Sequence, residues 1–202
     1  MSEITPSRSA VIALREERKA MQEGYVLLDE KCLLLAAAML RELRAYETLL
    51  DELRALQEEA AAALRNAVTR HGLQGLQCYP ALVIPANAIG IRRRRLLSVA
   101  LQDAALEGAP AAVALPVDPS SEAETCRAVH VKVLEKLVAL AAHSGNLERL
   151  YREYRRTARR ARALQDVLLP EVNGTVREFE ARLEELEQDE ASWARRAAAQ
   201  LA

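Results

Sequence analysis

The side chains that most often carry chemistry are few in this 202-residue chain, and they are scattered along it. Three cysteines and three histidines stand singly, without the close spacing of a metal site. They are Cys32, Cys78, Cys126, His71, His130 and His143. Neighbouring carboxylates such as Glu58-Glu59 and Glu184-Glu185 fall in long helical patterns, where a solvated face is their ordinary place. The sequence also lacks a Gly-x-x-x-x-Gly-Lys-Ser/Thr phosphate loop, so we expect no catalytic residue, cofactor or metal, and no enzyme activity.

Positive charge is concentrated in two short blocks, although the formal net charge of the whole chain is −1. One block lies in a helical stretch and the other is a run of four arginines. They are Arg155, Arg156, Arg159, Arg160, Arg162 and Arg92, Arg93, Arg94, Arg95. A solvated face, a nucleic acid or an acidic protein could each explain such blocks. Nucleic acid is the least favoured, because aromatic residues make up only 3% of the chain and hardly interleave with the arginines.

The N-terminal third of the chain reads as one long helix with a coiled-coil seam. Apolar residues recur at alternating spacings of three and four, and only Arg18 and Glu42 interrupt them. The seam positions are Leu14, Arg18, Met21, Tyr25, Leu28, Cys32, Leu35, Met39, Glu42, Tyr46, Leu49, Leu53, Leu56, Ala60, Ala63 and Ala67. A helix from about 6 to 70 would be roughly 100 Å long and needs a partner helix of similar length. Leu28 and Leu35 are predicted structural residues of this seam.

A second seam runs through the last third of the chain, at Tyr154, Thr157, Ala161, Leu164 and Leu168. Beyond it the spacing slips, because four residues separate each of the next apolar positions, Val172 and Val176, before the heptad resumes. One extra residue thus lies beside Pro170, which has no backbone N–H. We predict a kink with local unwinding there, with two helices broken at Leu169 as the alternative. Leu164, Leu168 and Pro170 are predicted structural residues.

The middle of the chain differs from both helical patterns. Two β-leaning runs, 81–85 and 88–91, flank Pro85-Ala86-Asn87 and predict a small hairpin, and Leu96 to Leu106 could form a short helix. The expected domains are therefore residues 1–73, 74–121 and 122–202. The fold class is all-α, a long antiparallel two-helix coiled coil with a small irregular or β-hairpin segment in the middle. A turn near residue 98 would place 149–162 opposite 34–47, a stretch that cannot neutralise the arginines.

Two segments resemble a known family. Thr157 to Pro170, TARRARALQDVLLP, is similar to the T-x-R-R-V-N-A-L-E-x-x-x-x-P signature of the D subunit of V-type (A/V-type) ATPases and ATP synthases. Gly24 to Lys31, GYVLLDEK, resembles the G-H-x-L-L-K-x-K segment of that family, and Thr5-Pro6-Ser7-Arg8 resembles its P-T-R opening. Among the departures from these patterns, Arg162, Gln165, Tyr25 and Asp29 stand where the family has Asn, Glu, His and Lys.

The resemblance implies a central-stalk rotor shaft that couples ATP hydrolysis or ATP synthesis in a catalytic ring to ion transport, such as hydrogen ion transport, by a membrane rotor. It implies contacts with catalytic and regulatory ring subunits, with the companion F subunit of the stalk and with a membrane-rotor adaptor subunit. It also favours an acidic protein as the partner of both arginine blocks, with no nucleic acid. The alternative is a non-rotary coiled-coil adaptor or stalk protein of an export-gate ATPase.

The location follows from the longest apolar run, from Cys32 to Leu40. It is about half of the ~20 residues that a membrane span needs, so we expect no direct membrane insertion. Single cysteines and the absence of a secretory signal in this sequence indicate a reducing compartment. We therefore expect a cytoplasmic protein, peripheral to the membrane as part of a membrane-bound ATPase complex.

Overall fold

The computed structural model describes residues 7–85, 87–108, 111–112 and 114–201. The helices are α1 (Arg8–Gln77), α2 (Ser121–Ala163) and α3 (Leu169–Leu201), and a π-helical turn, Leu164–Leu168, joins α2 to α3. The strands are β1 (Leu82–Val83), β2 (Ile89–Leu96), β3 (Val99–Leu106) and β4 (Ala111–Ala112). These elements confirm the predicted fold class of two long helical runs with a small β-hairpin between them. Thr5, Pro6 and Ala86, which entered the sequence analysis, lie outside the described residues.

The chain divides into two compact units. We call Met1–Leu34 with Tyr154–Ala202 the terminal unit, and Leu35–Glu153 the middle unit. Within the terminal unit the helices are antiparallel, because Arg8 contacts Glu187 and Arg15 contacts Glu180, both at 2.6 Å. Such exposed ion pairs stabilise little. Burial of the seam therefore holds the unit together, and its buried residues are Val11, Cys32, Thr157, Ala161, Val176 and Phe179.

The seam of α1 follows the heptad positions. Every position of the predicted series from Leu14 to Ala67 is buried or half-buried, including the polar Glu42. Leu28 is half-buried and Leu35 is 0% exposed. A few apolar residues beside the seam are exposed instead: Val26, Leu27, Leu33, Leu34 and Leu40. The 3.5-residue period thus selects the buried face, and apolar character alone does not.

The π-turn resolves the irregular spacing near Pro170. Its hydrogen bond runs from the Leu169 N–H to the Leu164 carbonyl, five residues back, so it takes up the extra residue. Leu169 itself has helical angles, φ −62° and ψ −45°, and α3 continues from it. The predicted local unwinding is therefore present, and the alternative of two helices broken at Leu169 is wrong. Leu164 is half-buried, whereas Leu168 and Pro170 are exposed.

Leu164 also contributes to close packing in the terminal unit. A Cβ added to Gly24 would lie 3.9 Å from Leu164 Cδ1. The leucine of the π-turn thus lies against the glycine of the facing helix. This fixes the register of the two helices at that level, with residue 24 opposite residue 164.

The middle unit corrects two expectations. β2 pairs antiparallel with β3, from Ile89↔Leu106 to Leu96↔Val99, so the predicted hairpin around Pro85-Ala86-Asn87 is wrong. Leu96 to Leu106 is not a short helix, because most of it is β3. Val99 and Leu101 are buried and the residue between them is exposed, which is the period of two of a strand. In the sequence, a short apolar run of this kind is compatible with either a strand or a helix. The Pro85 carbonyl does accept a bond from the Ala88 N–H, but this turn leads from β1 into β2.

We expect Pro170→Ala to change the free energy of unfolding by less than about 1 kcal/mol, because the π-turn already accommodates a residue without a backbone donor. A chain lacking the exposed Asp166 has one residue fewer, so this turn must close as a regular α-helix. There Pro170 removes a hydrogen bond and clashes with the preceding turn, and Pro170→Ala should stabilise by about 3 kcal/mol. Urea unfolding measures both effects. Equal effects in the two backgrounds would contradict the link between the π-turn and the proline.

Candidate functional site

The thiols and imidazoles do not form a reactive site in the described part of the chain. Burial raises the pKa of the Cys32 thiol, with the Asp29 charge adding to it, and burial raises the pKa of the Cys126 thiol. Both therefore remain protonated and weakly nucleophilic at neutral pH. His130 Nδ1 lies 2.8 Å from the Cys126 carbonyl oxygen, and His71 Nε2 lies 2.5 Å from the Ser120 hydroxyl. No group of three His, Cys, Asp or Glu among the described residues could hold a metal ion.

The arginines that lie beside the second seam form one exposed surface. We call Arg155, Arg156, Arg159, Arg160 and Arg162 the helix arginine surface; all five are exposed. Between them Thr157 is 2% exposed and Ala161 is 7% exposed. The buried seam and the charged surface thus share one stretch of helix. The packing of the seam holds the backbone that carries the arginines.

The predicted register of this surface is wrong. Glu42 contacts Asn146, and a Cβ at Gly24 would approach Leu164, so residues 149–162 face 26–39 and not 34–47. The register differs from the predicted one because the two helices end unequally beside the middle segment. α1 continues to Gln77, whereas its residue His71 already contacts Ser120, one residue before α2 begins. Regular α1 geometry breaks nearby, at Gly72, which has φ +67°. The facing stretch offers Asp29 and Glu30 against Lys31, so it too leaves most of the positive charge unneutralised.

The four arginines of β2 have different surroundings. Arg94 reaches the Glu42 carboxylate and lies 3.3 Å from Asp103. Arg92, Arg93 and Arg95 are exposed and form no ion pair with any residue that the structure describes. We call these three the hairpin arginines. One member of the run therefore has an internal role, and three are available to a partner.

Glu42 is the centre of a buried polar cluster that joins three elements. It is 7% exposed, yet it receives hydrogen bonds from Arg94 of β2 and from His143 of α2, the latter at 2.7 Å. Asn146 Nδ2 is a further, longer contact at 3.5 Å. Burial raises the pKa of the Glu42 carboxyl, but the bonds from His143 and Arg94 outweigh it and hold the pKa below its ordinary value. The carboxylate is therefore charged at neutral pH, and it ties the hairpin to both helices.

Asn146 fastens β3 to α2 beside this cluster. It is 0% exposed, accepts a bond from the Gln102 N–H and donates one to the Gln102 carbonyl, both at 2.8 Å. Its side-chain amide thus occupies the outer edge of β3 as a neighbouring strand would. Arg149 adds bonds to the Asn146 oxygen at 3.0 Å and to the Gln102 side chain at 2.9 Å. Arg149 is therefore a structural residue and not part of the exposed surface.

An apolar groove lies at the other end of the middle unit. It encloses about 550 Å³ between the end of α1, the segment around Pro80 and the start of α2. Apolar residues, among them Leu64, Leu82 and Val133, line most of it. Arg127 also lines it, and its Nη2 atom is buried without a hydrogen-bond partner among the described residues. Its other nitrogen, Nη1, bonds Glu124 at 2.9 Å.

Sequence patterns did not indicate the polar cluster or the groove. Glu42 interrupts a heptad, and this interruption was the available signal that an outside group must satisfy a carboxylate there. Its partners Arg94 and His143 are 52 and 101 residues away, so no local spacing connects them. Arg127 is an ordinary helix arginine in the sequence. Its relation to the groove depends on the path of the chain around Pro80.

These features define a class of protein before any relative is considered. The chain has two antiparallel helix pairings, a docked hairpin and exposed arginines. This combination is typical of a protein that acts by binding other proteins at its surface. No helix among the described residues is long and apolar enough to cross a membrane.

Comparison with known proteins identifies the family. The model of the family of ATP synthase D subunits matches residues 10–199. The D subunit of the V-type ATP synthase of Thermotoga neapolitana is 24% identical over 188 residues, covering 93% of each chain. The D subunit of the A-type ATP synthase of Pyrococcus abyssi is 27% identical, covering 92% of this chain and 89% of that relative. Its counterpart in Methanosarcina acetivorans is 23% identical, covering 93% and 91%.

The chain belongs to the family of ATP synthase D subunits, which confirms the resemblance found in the sequence. The D subunit is a central-stalk component of rotary A/V-type ATPases, and the export-gate alternative is not favoured. The chain is thus part of a membrane-associated ATPase complex and associates with other subunits of it.

We expect acid to detach the hairpin from the helices. The pKa of Glu42 is lowered in the folded chain, so its stabilising contribution is complete above the ordinary glutamate pKa of about 4.3 and is lost as the pH falls through the lowered value. The side-chain amide resonances of Asn146 should therefore shift in that range. Glu42→Gln should abolish this titration and destabilise the chain by about 1–3 kcal/mol. Asp103→Asn should retain it, and a titration lost in Asp103→Asn but kept in Glu42→Gln would assign the transition to Asp103.

Proposed function

We propose that this chain is the rotor shaft that transmits torque between a ring of ATP-hydrolysing or ATP-synthesising subunits and a membrane ion rotor. The observation that carries the proposal is the family match over residues 10–199, together with the paired seams of α1, α2 and α3. Two helices paired along a seam resist bending and twisting better than one. A shaft that presents different faces to the subunits around it couples rotation to the affinity of each site.

The exposed end of α3 supports an insertion of this segment into the ring. Arg8, the first residue of α1, contacts Glu187. At and beyond this level α3 carries large apolar side chains that are exposed, with Leu186 at 52% and Trp193 at 73%. Exposed apolar side chains of this size favour a protein environment. Catalytic and regulatory ring subunits are the proposed partners there.

The exposed leucines of α1 support the binding of a companion stalk protein on the side of the shaft. Val26 and Leu33 are seven residues apart, and so are Leu27 and Leu34. All four are exposed, from 48% to 66%, although they follow a heptad spacing. A second apolar row at this period is what a further helix would pack against. We assign this row to the companion F subunit of the stalk.

The apolar groove supports the proposed contact with the membrane-rotor adaptor. It is an open, mostly apolar surface with one buried guanidinium nitrogen that lacks an acceptor among the described residues. A carbonyl or carboxylate of a partner would satisfy that donor and cover the leucines in one step. The groove lies in the middle of the chain, the segment that the family resemblance directs toward the membrane. The chain would then be cytoplasmic and peripheral to the membrane, with no insertion of its own.

The helix arginine surface and the hairpin arginines are proposed contacts with acidic surfaces of partner subunits. Arg92, Arg93 and Arg95 form no ion pair with a described residue, and the stretch that faces the helix arginine surface carries Asp29 and Glu30 against Lys31. Electrostatic complementarity of this kind sets orientation and association rate more than affinity. The chain itself is proposed to be non-catalytic, since its thiols are buried or isolated and its buried carboxylate is fully engaged.

Charge reversal tests the helix arginine surface. Arg156→Glu with Arg160→Glu should weaken assembly with the ATPase head about tenfold, and added salt should reduce the difference by screening. Arg41→Glu with Arg44→Glu is the matched control, because these exposed arginines lie outside both arginine surfaces. Native mass spectrometry of reconstituted complexes measures the assembled fraction. Equal weakening by the control pair, or an effect insensitive to salt, would contradict an acidic partner at this surface.

A pair of covalent tethers tests rotation. Both are made in a Cys78→Ser background, because Cys78 is an exposed native thiol. Cysteines at Gly24 and Leu164, joined by a short thiol cross-linker, connect two parts of one unit that move together. This cross-link should leave ATP turnover of the reconstituted complex largely unchanged. A disulfide from Trp193→Cys to the inner face of one ring subunit should instead stop multiple turnovers, and reduction should restore them.

The comparison of these tethers separates a shaft from a fixed scaffold. Full ion transport with the ring tether closed would show that the chain does not rotate. Loss of activity from the internal cross-link alone would show that the shaft must change its own conformation during the cycle.

A further inference from the structure

We propose that the free edge of β2 binds an acidic strand of another protein, which extends the hairpin into a three-stranded sheet. The inference rests on the proposal that the hairpin arginines meet an acidic partner, and it specifies the geometry of that contact. Among the described residues β2 has one neighbouring strand, β3, and no backbone bond outside the hairpin. An exposed strand edge of eight residues is a template for a further strand.

The hydrogen-bond pattern tells which backbone groups are free. Gln102 directs both its N–H and its carbonyl outward to Asn146, so Gln102 and its partner Arg93 form a non-hydrogen-bonded pair. Arg93 therefore also directs its N–H and carbonyl away from the hairpin. Because the pattern repeats every second residue, Ile91 and Arg95 do the same. These three residues present a row of unpaired donors and acceptors along the outer edge of β2.

The two edges of the hairpin have different neighbours. The edge of β3 is covered at Gln102 by the Asn146 amide, which imitates a strand. On β2, Arg94 donates a hydrogen bond to Glu42 and so fixes this strand to α1. Arg94 lies on the same face of the hairpin as the buried Leu101. The hairpin is thus fixed in place before any partner arrives. A rigid strand loses little conformational freedom on binding, which favours strand addition.

The side chains along the free edge determine the sequence of the partner. Ile89 and Ile91 are 51% and 56% exposed, and Arg93 and Arg95 follow on the same face. A facing strand that is apolar at one end and carries Asp or Glu opposite the arginines would complement this row. A second copy of β2 would instead place arginine beside arginine, which is destabilising. The occupant is therefore an acidic strand of a different protein.

The test uses the isolated full chain and an eight-residue peptide, acetyl-Glu-Thr-Glu-Thr-Val-Thr-Val-Thr-amide, which in antiparallel register places glutamate opposite Arg95 and Arg93 and valine opposite Ile91 and Ile89. Saturable binding should slow amide exchange at Ile91, Arg93 and Arg95 at least tenfold, measured by NMR. The amides of Arg92 and Arg94 should change little, because they already bond within the hairpin. A peptide with lysine in place of glutamate should not bind.

Two controls separate strand pairing from general charge attraction. A peptide with proline at one central valine keeps its charges but loses a backbone donor, and it should bind at least tenfold more weakly. Arg93→Gln with Arg95→Gln should weaken binding at least tenfold, whereas Arg41→Gln with Arg44→Gln on α1, outside both arginine surfaces, should not. Equal binding of the proline peptide would overturn strand addition while leaving an acidic partner in place. Equal losses in the two arginine pairs would overturn the site.

Failure of this inference is distinguishable from failure of the proposed function. Peptide binding and amide exchange are measured on the chain alone, and they report only on the hairpin edge. Assembly with the ATPase head is measured on the reconstituted complex. Unprotected amides at Ile91, Arg93 and Arg95 with saturating peptide would overturn strand addition even where the complex assembles and rotates normally.

Discussion

The buried carboxylate of Glu42 is the interaction on which the middle unit depends. An unpaired charge at a seam position would cost several kcal/mol, so the helix pair around it is stable only while donors reach it. Those donors come from β2 and α2 at once, through Arg94 and His143. Packing of the helix seam and docking of the hairpin therefore depend on the same set of hydrogen bonds to Glu42. A leucine at this position would pack as well but would leave the hairpin with Asn146 as its main polar link.

The terminal unit meets a different constraint, which is the phase of its seam. Three successive spacings of four residues would rotate the apolar positions away from the facing helix if every turn were α-helical. The π-turn absorbs that excess at Leu164–Leu168, so that Val176 and Phe179 return to the buried side. Pro170 follows directly, where the altered bonding leaves room for a residue without a donor. The backbone irregularity thus preserves the regularity of the seam.

Local periodicity was sufficient for the elements that interact along their whole length. The heptad of α1 named the buried face residue by residue, and the slipped spacing near Pro170 indicated the unwinding. Local periodicity was insufficient to predict contacts between residues that are far apart in the chain. The pairing of Ile89 with Leu106, the contact of Glu42 with Arg94 and the register of the helix arginines all depend on where the chain turns back. A run such as Leu96 to Leu106 is compatible with helix or strand until β2 lies beside it.

The two arginine surfaces differ in how they are held, and this bears on how each responds to change. The helix arginines follow a continuous helix whose seam is buried, so their spacing is fixed by 3.6 residues per turn. The hairpin arginines lie on a strand whose position depends on Glu42. Neutralising that carboxylate would leave Arg94 with Asp103 as its remaining ion-pair partner among the described residues, and it would loosen the strand. The charge presented at the hairpin would then rise just as its geometry became less defined, so affinity for an acidic partner and specificity for one strand register would change in opposite directions.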